Sequence, residues 1–154
     1  MENVLKKIIS KKKERIKIYK KEHTENKLFE DIKYINNFID FKDKIKRRNS
    51  ERKISIIAEI KKASPSAGEI IKNFNPLNIA KIYFENGASF LSVLTEEYFF
   101  LGKLDYIKNI KSNYKIPILC KDFFIDTYQV ALAKSFGADC ILIILSAVDK
   151  VLAK

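Results

Sequence analysis

Two rhythms of apolar and polar residues divide the chain. Over residues 4–20, Val4, Leu5, Ile8, Ile9, Ile16 and Tyr19 fall near three- and four-residue spacings, with lysines on the remaining faces. That spacing predicts an amphipathic helix. A second helical pattern covers residues 28–47, with Leu28, Ile32, Ile35, Ile39 and Ile45 in rough register, although Asn36-Asn37 interrupts it with two poor helix formers. The polar pair Asn49-Ser50 closes this region, so residues 1–49 read as an N-terminal helical extension.

From residue 50 onward the period shortens to apolar, β-branched runs separated by helical patterns. This is the sequence form of repeated βα units around a parallel sheet. Strands are predicted at residues 55–60, 90–94, 118–121 and 140–145, and helices at 76–86, 104–112 and 126–136. Gly87 and Gly137 stand where helix C-caps belong, in the similar phrases Asn86-Gly87-Ala88-Ser89 and Phe136-Gly137-Ala138-Asp139. Four βα units are begun and three completed, and the pattern of a fourth helix has barely started at Lys154.

Composition narrows the class only a little. A chain of 154 residues can bury an ordinary core, and its 47% apolar content is globular. No apolar run reaches the roughly 18 residues that span a bilayer, and the first ten residues lack the apolar stretch of a secretory signal, so the expected location is cytoplasmic, with no membrane partner. The net charge of +11 comes mainly from lysine, in a chain also rich in Ile and Asn, the mixture that AT-biased coding produces. The basic stretches lack the interleaved aromatics that single-stranded nucleic acid would stack on, so no nucleic-acid partner is expected. Cys120 and Cys140 both sit inside apolar runs and read as reduced, packed thiols; with a single histidine, His23, no metal-ligand cluster is visible.

Candidate chemistry collects at strand ends. Glu59 and Lys61 share one parity at the end of the first run, and an inward-facing acid and lysine are costly to desolvate unless paired or useful. By pattern alone they read equally as a solvated pair at a frayed end. The small residues Ala63-Ser64-Pro65-Ser66-Ala67-Gly68 that follow can offer N–H groups and hydroxyls to a phosphate, or form a plain turn. Lys121 ends the third run after four apolar residues, where desolvation would lower its pKa and suit it to general acid work, or where it would snorkel to the rim. Phe123 shares its parity, and Phe100 lies in the loop after the second strand; each could wall an aromatic ligand or belong to the core.

As strings these stretches go further. Ile56-Ile57-Ala58-Glu59-Ile60-Lys61-Lys62-Ala63-Ser64-Pro65-Ser66 resembles the signature of the indole-3-glycerol phosphate synthase family: an acid, a spacer, a lysine, two variable positions, then Ser-Pro. Leu91-Ser92-Val93-Leu94-Thr95-Glu96-Glu97 with Phe99-Phe100-Leu101-Gly102 resembles that family's second strand and loop, Pro117-Ile118-Leu119-Cys120-Lys121-Asp122-Phe123 its third strand, and Cys140 to Ser146 its fourth. The lysine-rich first helix is similar to the helices that precede the barrel in that family. The resemblance covers essentially the whole chain; Ala63 departs from it, standing where some members carry a basic residue.

The resemblance implies a TIM (β/α)8 barrel, α/β in class, of which residues 50–154 would form about the first half. It implies a carbon-carbon lyase of tryptophan biosynthesis that needs no cofactor. Its substrate would be a phosphorylated anthranilate-ribulose, closed to an indole with loss of carbon dioxide and water. Lys121 would be the general acid that protonates the substrate carbonyl, Lys61 would hold the substrate carboxylate or act as a second acid, and Glu59 would stabilise the positive charge that develops before decarboxylation. Ser64 matches a phosphate-side position, and Phe100 and Phe123 match the walls around the anthranilate ring. The family's fifth-strand glutamate, sixth-strand asparagine and later phosphate loops would lie beyond Lys154. Residues 1–154 alone are therefore expected to be inactive, and to self-associate through exposed sheet edges as a truncated half-barrel fragment.

Overall fold

A computed structural model describes residues 2–154, with side chains from residue 4 onward. Three helices come first: α1 (Glu2–Glu22), α2 (Glu25–Lys33) and α3 (Phe41–Ser50). The helical pattern expected over residues 28–47 is thus two helices with an irregular stretch between them. The break has local causes. Asn36-Asn37 offers little helix propensity, and caps restart the chain on either side. The Thr24 side chain accepts from the Lys27 N–H at the start of α2, and the Asp40 carboxylate accepts from the Asp43 N–H at 2.7 Å at the start of α3.

The βα region follows as β1 (Ile57–Ile60), a small antiparallel hairpin of β2 (Ala63–Ser64) and β3 (Gly68–Glu69), α4 (Pro76–Glu85), β4 (Phe90–Leu94), α5 (Leu104–Asn113), β5 (Ile118–Lys121), α6 (Tyr128–Ser135) and β6 (Cys140–Ile141). Strands β1, β4, β5 and β6 pair in that order, all parallel, each joined to the next through a helix. Sequential parallel strands with helical crossovers are the layout of a (β/α)8 barrel over its first four strands. The caps behave as expected, with Gly87 and Gly137 at φ of +83° and +96°, a region that glycine enters without strain.

One further sequence expectation needs correction here. The fourth strand, expected over residues 140–145, pairs only at Cys140 and Ile141, with β5 as its single neighbour among the described residues. Beyond the paired residues, Leu142 and Ile143 are more than a third exposed and Leu145 is 75% exposed. The small-residue segment after β1 turns within a short hairpin, in which Ala63 pairs with Glu69 and Ser64 with Gly68.

The core lies between the sheet and its helices. Outward residues of the strands, among them Ile60, Leu91, Val93, Ile118 and Cys120, pack against Ala80, Ile107, Ile110 and Leu132 of the crossover helices. Ile16 and Tyr19 of α1 and Leu28 of α2 belong to the same cluster. The extension therefore runs along the whole unit. The Tyr128 hydroxyl sits 2.8 Å and 2.7 Å from the carbonyls of Tyr19 and His23, holding the end of α1 on α6. Phe41 of α3 packs on Phe90, the first residue of β4, with ring centroids 4.4 Å apart, which places α3 at the N-terminal end of the sheet.

That same end carries a buried ionic lock. Asp139, whose side chain is fully buried, accepts from the Lys111 ammonium at 2.9 Å, from the Ile118 N–H at 2.8 Å and from the Ile39 N–H at 2.8 Å. One carboxylate thus ties α5, β5 and the α2–α3 connection to the start of β6. Truncating one member of a buried ion pair strands the other charge, at a cost of roughly 3–5 kcal/mol. Asp139→Ala is expected to lower the urea midpoint sharply with little change in the denaturant slope, read by circular dichroism.

Candidate active site

The pleat of β1 and β5 decides which charges meet. Ile60, Ile118 and Cys120 turn outward into the core, so Glu59 and Lys121 point to the opposite, inward face. The registers then align them at the C-terminal ends of the strands: Glu59 pairs with Ser92 of β4, and Lys121 with Leu94 of the same strand. Glu59 is shared between two ammonium groups. Its Oε1 lies 3.0 Å from Lys61 Nζ, and its Oε2 accepts from Lys121 Nζ.

Of the two readings of Lys121, a desolvated strand end or a lysine reaching the rim, the second holds: its side chain is 36% exposed and ion-paired with Glu59. Partial burial pushes the Glu59 carboxyl upward, but the Lys121 and Lys61 ammoniums outweigh it and hold the group below its ordinary 4.5. With a third of each side chain in water, these pairs contribute orientation more than stability.

The expected aromatic and phosphate-side residues also come together, through the loops that continue from the same strands. Phe100 and Phe123 approach to 6.3 Å between ring centroids. They line an open, mainly apolar cleft of about 640 Å³ with Ser64, Pro65 and Ser66, and with Val4, Leu5 and Ile8 of α1. The α1 wall was not anticipated from the sequence. The Ser64 hydroxyl is used locally, accepting from the Ala67 N–H at 3.2 Å within the hairpin turn. A larger cleft of about 760 Å³, lined in part by Arg15, Tyr19, Lys62, Glu97 and Lys103, contains none of the six expected site residues.

Sequence reasoning missed the residues that hold this site in place. Glu96 is wholly buried and accepts from the N–H groups of Tyr98, Phe99 and Phe100 at 3.1, 2.7 and 3.0 Å, so its carboxylate shapes the loop that presents Phe100. Leu101 sits at φ +53°, a costly conformation outside glycine that needs such support. Gly102 next to it has no room for a side chain, since a Cβ there would stand 2.3 Å from the Leu94 carbonyl oxygen. The Ala63 N–H donates to the Phe100 carbonyl, joining the hairpin after β1 to this loop. From α1, Arg15 and Tyr19 both bond the Glu97 carboxylate, the Tyr19 hydroxyl at 2.6 Å, and Lys12 forms an ion pair of 2.7 Å with Asp122.

Other chemistry is sparse. Burial pushes the Cys120 thiol up to about 12, with Asp122 adding to it, which leaves a packed and unreactive group. Among the described residues no cluster of three His, Cys, Asp or Glu could hold a metal ion, and no helix is long and apolar enough to cross a membrane.

Ionisable side chains that meet across β4 from the C-terminal ends of β1 and β5, with an apolar cleft built from the following loops, are the arrangement of a (β/α)8-barrel enzyme. The comparison with known proteins makes that class specific. The family model for indole-3-glycerol phosphate synthase matches residues 5–154, and the chain belongs to that family. It is similar to the indole-3-glycerol phosphate synthase of Aliarcobacter butzleri, 43% identical over 147 residues that make up 96% of this chain and 56% of the relative. The corresponding protein of Alkaliphilus metalliredigens is 44% identical over 147 residues, 96% of this chain and 55% of the relative. That of Lachnoclostridium phytofermentans is 53% identical over 93 residues, 60% of this chain and 34% of the relative. The chain thus spans about half the length of the first two of these curated relatives.

The shared carboxylate makes a direct prediction. A folded-state value below the unfolded one means that Glu59 adds stability above its ordinary 4.5, and that this contribution is lost as pH falls through the folded value. Carbon-detected titration should place the Glu59 midpoint below 4.5, and Lys121→Met should move it upward because burial is then opposed by Lys61 alone.

Proposed function

We propose that the full-length protein closes the indole ring of indole-3-glycerol phosphate from 1-(o-carboxyphenylamino)-1-deoxyribulose 5-phosphate, releasing carbon dioxide and water. The observation that carries this reading is Glu59 held between Lys61 and Lys121 at the ends of β1 and β5, beside loops that set Phe100 against Phe123. Lys121 donates a proton to the substrate carbonyl oxygen as the ring carbon bearing the carboxylate attacks the carbonyl carbon. The electron pair for the new bond comes from the aromatic amine system, which becomes positively charged. Glu59, already anionic, stabilises that charge until carbon dioxide leaves and returns its bonding pair to the ring. The new hydroxyl then departs as water, with a proton supplied by a general acid and another lost from the neighbouring methylene.

Lys61 holds the substrate carboxylate or acts as a second acid; its ammonium, 3.0 Å from Glu59 Oε1, supports a role beside that carboxylate. In this reading the apolar cleft lined by Phe100, Phe123, Val4, Leu5 and Ile8 takes the anthranilate ring, and Ser64, which lines the same cleft, serves the phosphate. The reading calls for no cofactor, and for a cytoplasmic enzyme.

The assignment of Lys121 is tested by Lys121→Ala in the full-length protein. Turnover should fall by about two to four orders of magnitude, the usual worth of a positioned general acid. Near-normal formation of the fluorescent indole product would exclude the role. Glu59→Gln and Lys61→Ala should each reduce turnover far more than they reduce the melting temperature.

Residues 1–154 taken alone should behave differently. Among the described residues no strand lies beside the outer edges of β1 and β6, and Ile56, Ile57 and Leu145 near those edges are 54%, 47% and 75% exposed. Open, apolar parallel edges favour pairing with a second copy. Such a pair would duplicate Glu59, Lys61 and Lys121 without adding other catalytic groups, so self-association without catalysis is expected. Sedimentation at several concentrations and an indole fluorescence assay check both halves of this statement; a concentration-independent monomer, or turnover above background, would contradict it.

A further inference from the structure

The lysines of α1 differ in one respect. Lys12 alone among them is buried, 3% exposed, while the others on the helix lie in solvent. It stands one turn from Ile8 and one turn from Ile16, within the stripe that faces the core. Its ammonium meets Asp122, whose side chain is 9% exposed, at 2.7 Å. Asp122 is fully engaged: Oδ1 also accepts from the Phe123 N–H at 2.7 Å, and Oδ2 accepts from the Thr95 hydroxyl at 2.8 Å.

A buried ion pair is a poor way to gain stability, because apolar residues of similar volume commonly do as well or better. The neighbours of Lys12 on its stripe are apolar, so an apolar seam was open to this position. What the charged pair adds is direction. Three donors from α1, from the end of β4 and from the following residue fix Asp122, which lies between Lys121 on one side and Phe123 on the other. A carboxylate gripped on the outward face of the strand thus sets the backbone that carries an ammonium to the inward face.

We propose that Lys12 is a positioning residue for the ring-closing site: through Asp122 it fixes the placement of Lys121 against Glu59 and of Phe123 against Phe100. The proposal rests on the function proposed above for Lys121 and Phe123. The N-terminal helix is then part of the catalytic apparatus through a side chain that does not touch substrate.

The matching pair at the other end of β5 supplies the control. Lys111 and Asp139 are also buried and ion-paired at 2.9 Å, but they lie at the N-terminal ends of the strands, away from Glu59 and Lys121. Lys12→Met and Lys111→Met make the same chemical change in the two locks. In the full-length protein at a temperature where both variants are folded, Lys12→Met is expected to lower kcat about 10- to 100-fold, the scale of a misplacement near 1 Å. KM should rise as the Phe123 wall shifts. The Glu59 titration midpoint should move up as its contact with Lys121 loosens. Lys111→Met should lower the melting temperature at least as far, yet leave kcat, KM and the Glu59 midpoint essentially as in the parent.

Equal losses of kcat in the two variants, or a Glu59 midpoint unmoved by Lys12→Met, would reduce Lys12 to a stability role and overturn the proposal. If either methionine variant does not fold, Asp122→Asn and Asp139→Asn make the same comparison with the shape of each carboxylate retained. The Glu59 midpoint is read without turnover. A parent protein that forms no indole product would therefore count against the proposed function, while that midpoint would still decide whether Lys12 places Lys121.

Discussion

Strand β5 ends in two opposite charges, and its pleat sends them to opposite faces. Lys121 goes inward to Glu59, and Asp122 goes outward to Lys12 and Thr95. Asp122 is in dry surroundings, where an uncompensated charge costs more than most single contacts supply, so it must find a partner, and that partner is Lys12 of α1. Lys121 is partly in water, and its pairing with Glu59 of β1 fixes orientation more than it adds stability. This requirement links the two layers. The inward face gains a cluster of three ionisable groups, and the outer layer gains a reason for a helix outside the βα repeat to lie across the C-terminal end of the sheet.

The opposite end of the same strand uses the same chemistry for a different purpose. Asp139 collects Lys111, the N–H of Ile118 and the N–H of Ile39, and so closes the sheet against α5 and the connection leading into α3. In a βα barrel the N-terminal face carries stability and the C-terminal face carries chemistry. The lower lock acts on strand starts and a helix end. The upper one acts within one residue of Lys121 and of Phe123. Two pairs of similar burial can therefore differ in what they control, because position along the strand decides which atoms move when the pair is broken.

The βα alternation, the shared parity of Glu59 and Lys61 at the end of the first strand, and the two capping glycines were all legible in the sequence; the meeting of Glu59 with Lys121 was not. They follow from short-range periodicity and from the conformational freedom of glycine, which a single chain displays openly. The strings around Glu59 and Lys121 carried the family, and the match over residues 5–154 agrees with them. What escaped were features set by tertiary pairing. The pattern over residues 28–47 has the right spacing for one helix, but capping by Asp40 favoured a restart. The end of the fourth strand was overestimated because an apolar run shows propensity and not whether a neighbour exists to pair with it. Glu96 gave no sign of its role, since three N–H donors converging on one carboxylate depend on the path of a loop.

Lys12 is an instructive omission because the signal was present. Ile8, Lys12, Ile16 and Tyr19 recur at helical spacing along one face, and the lysine occupies a place that the pattern reserves for an apolar residue. In a helix crowded with lysines, one more is easily read as a solvated charge. A charge inside an apolar stripe demands a partner of opposite sign on whatever the stripe packs against, and the acid beside a strand-end lysine is a natural candidate. Asp122 follows Lys121 directly, with the opposite parity, so it faces the layer that α1 covers. Had that pairing been drawn from spacing alone, it would have oriented the first helix on the sheet. The same reasoning explains why Val4, Leu5 and Ile8 reach the cleft of Phe100 and Phe123: with Lys12 anchored beside Phe123, the preceding two turns of α1 extend over the loops that carry both rings.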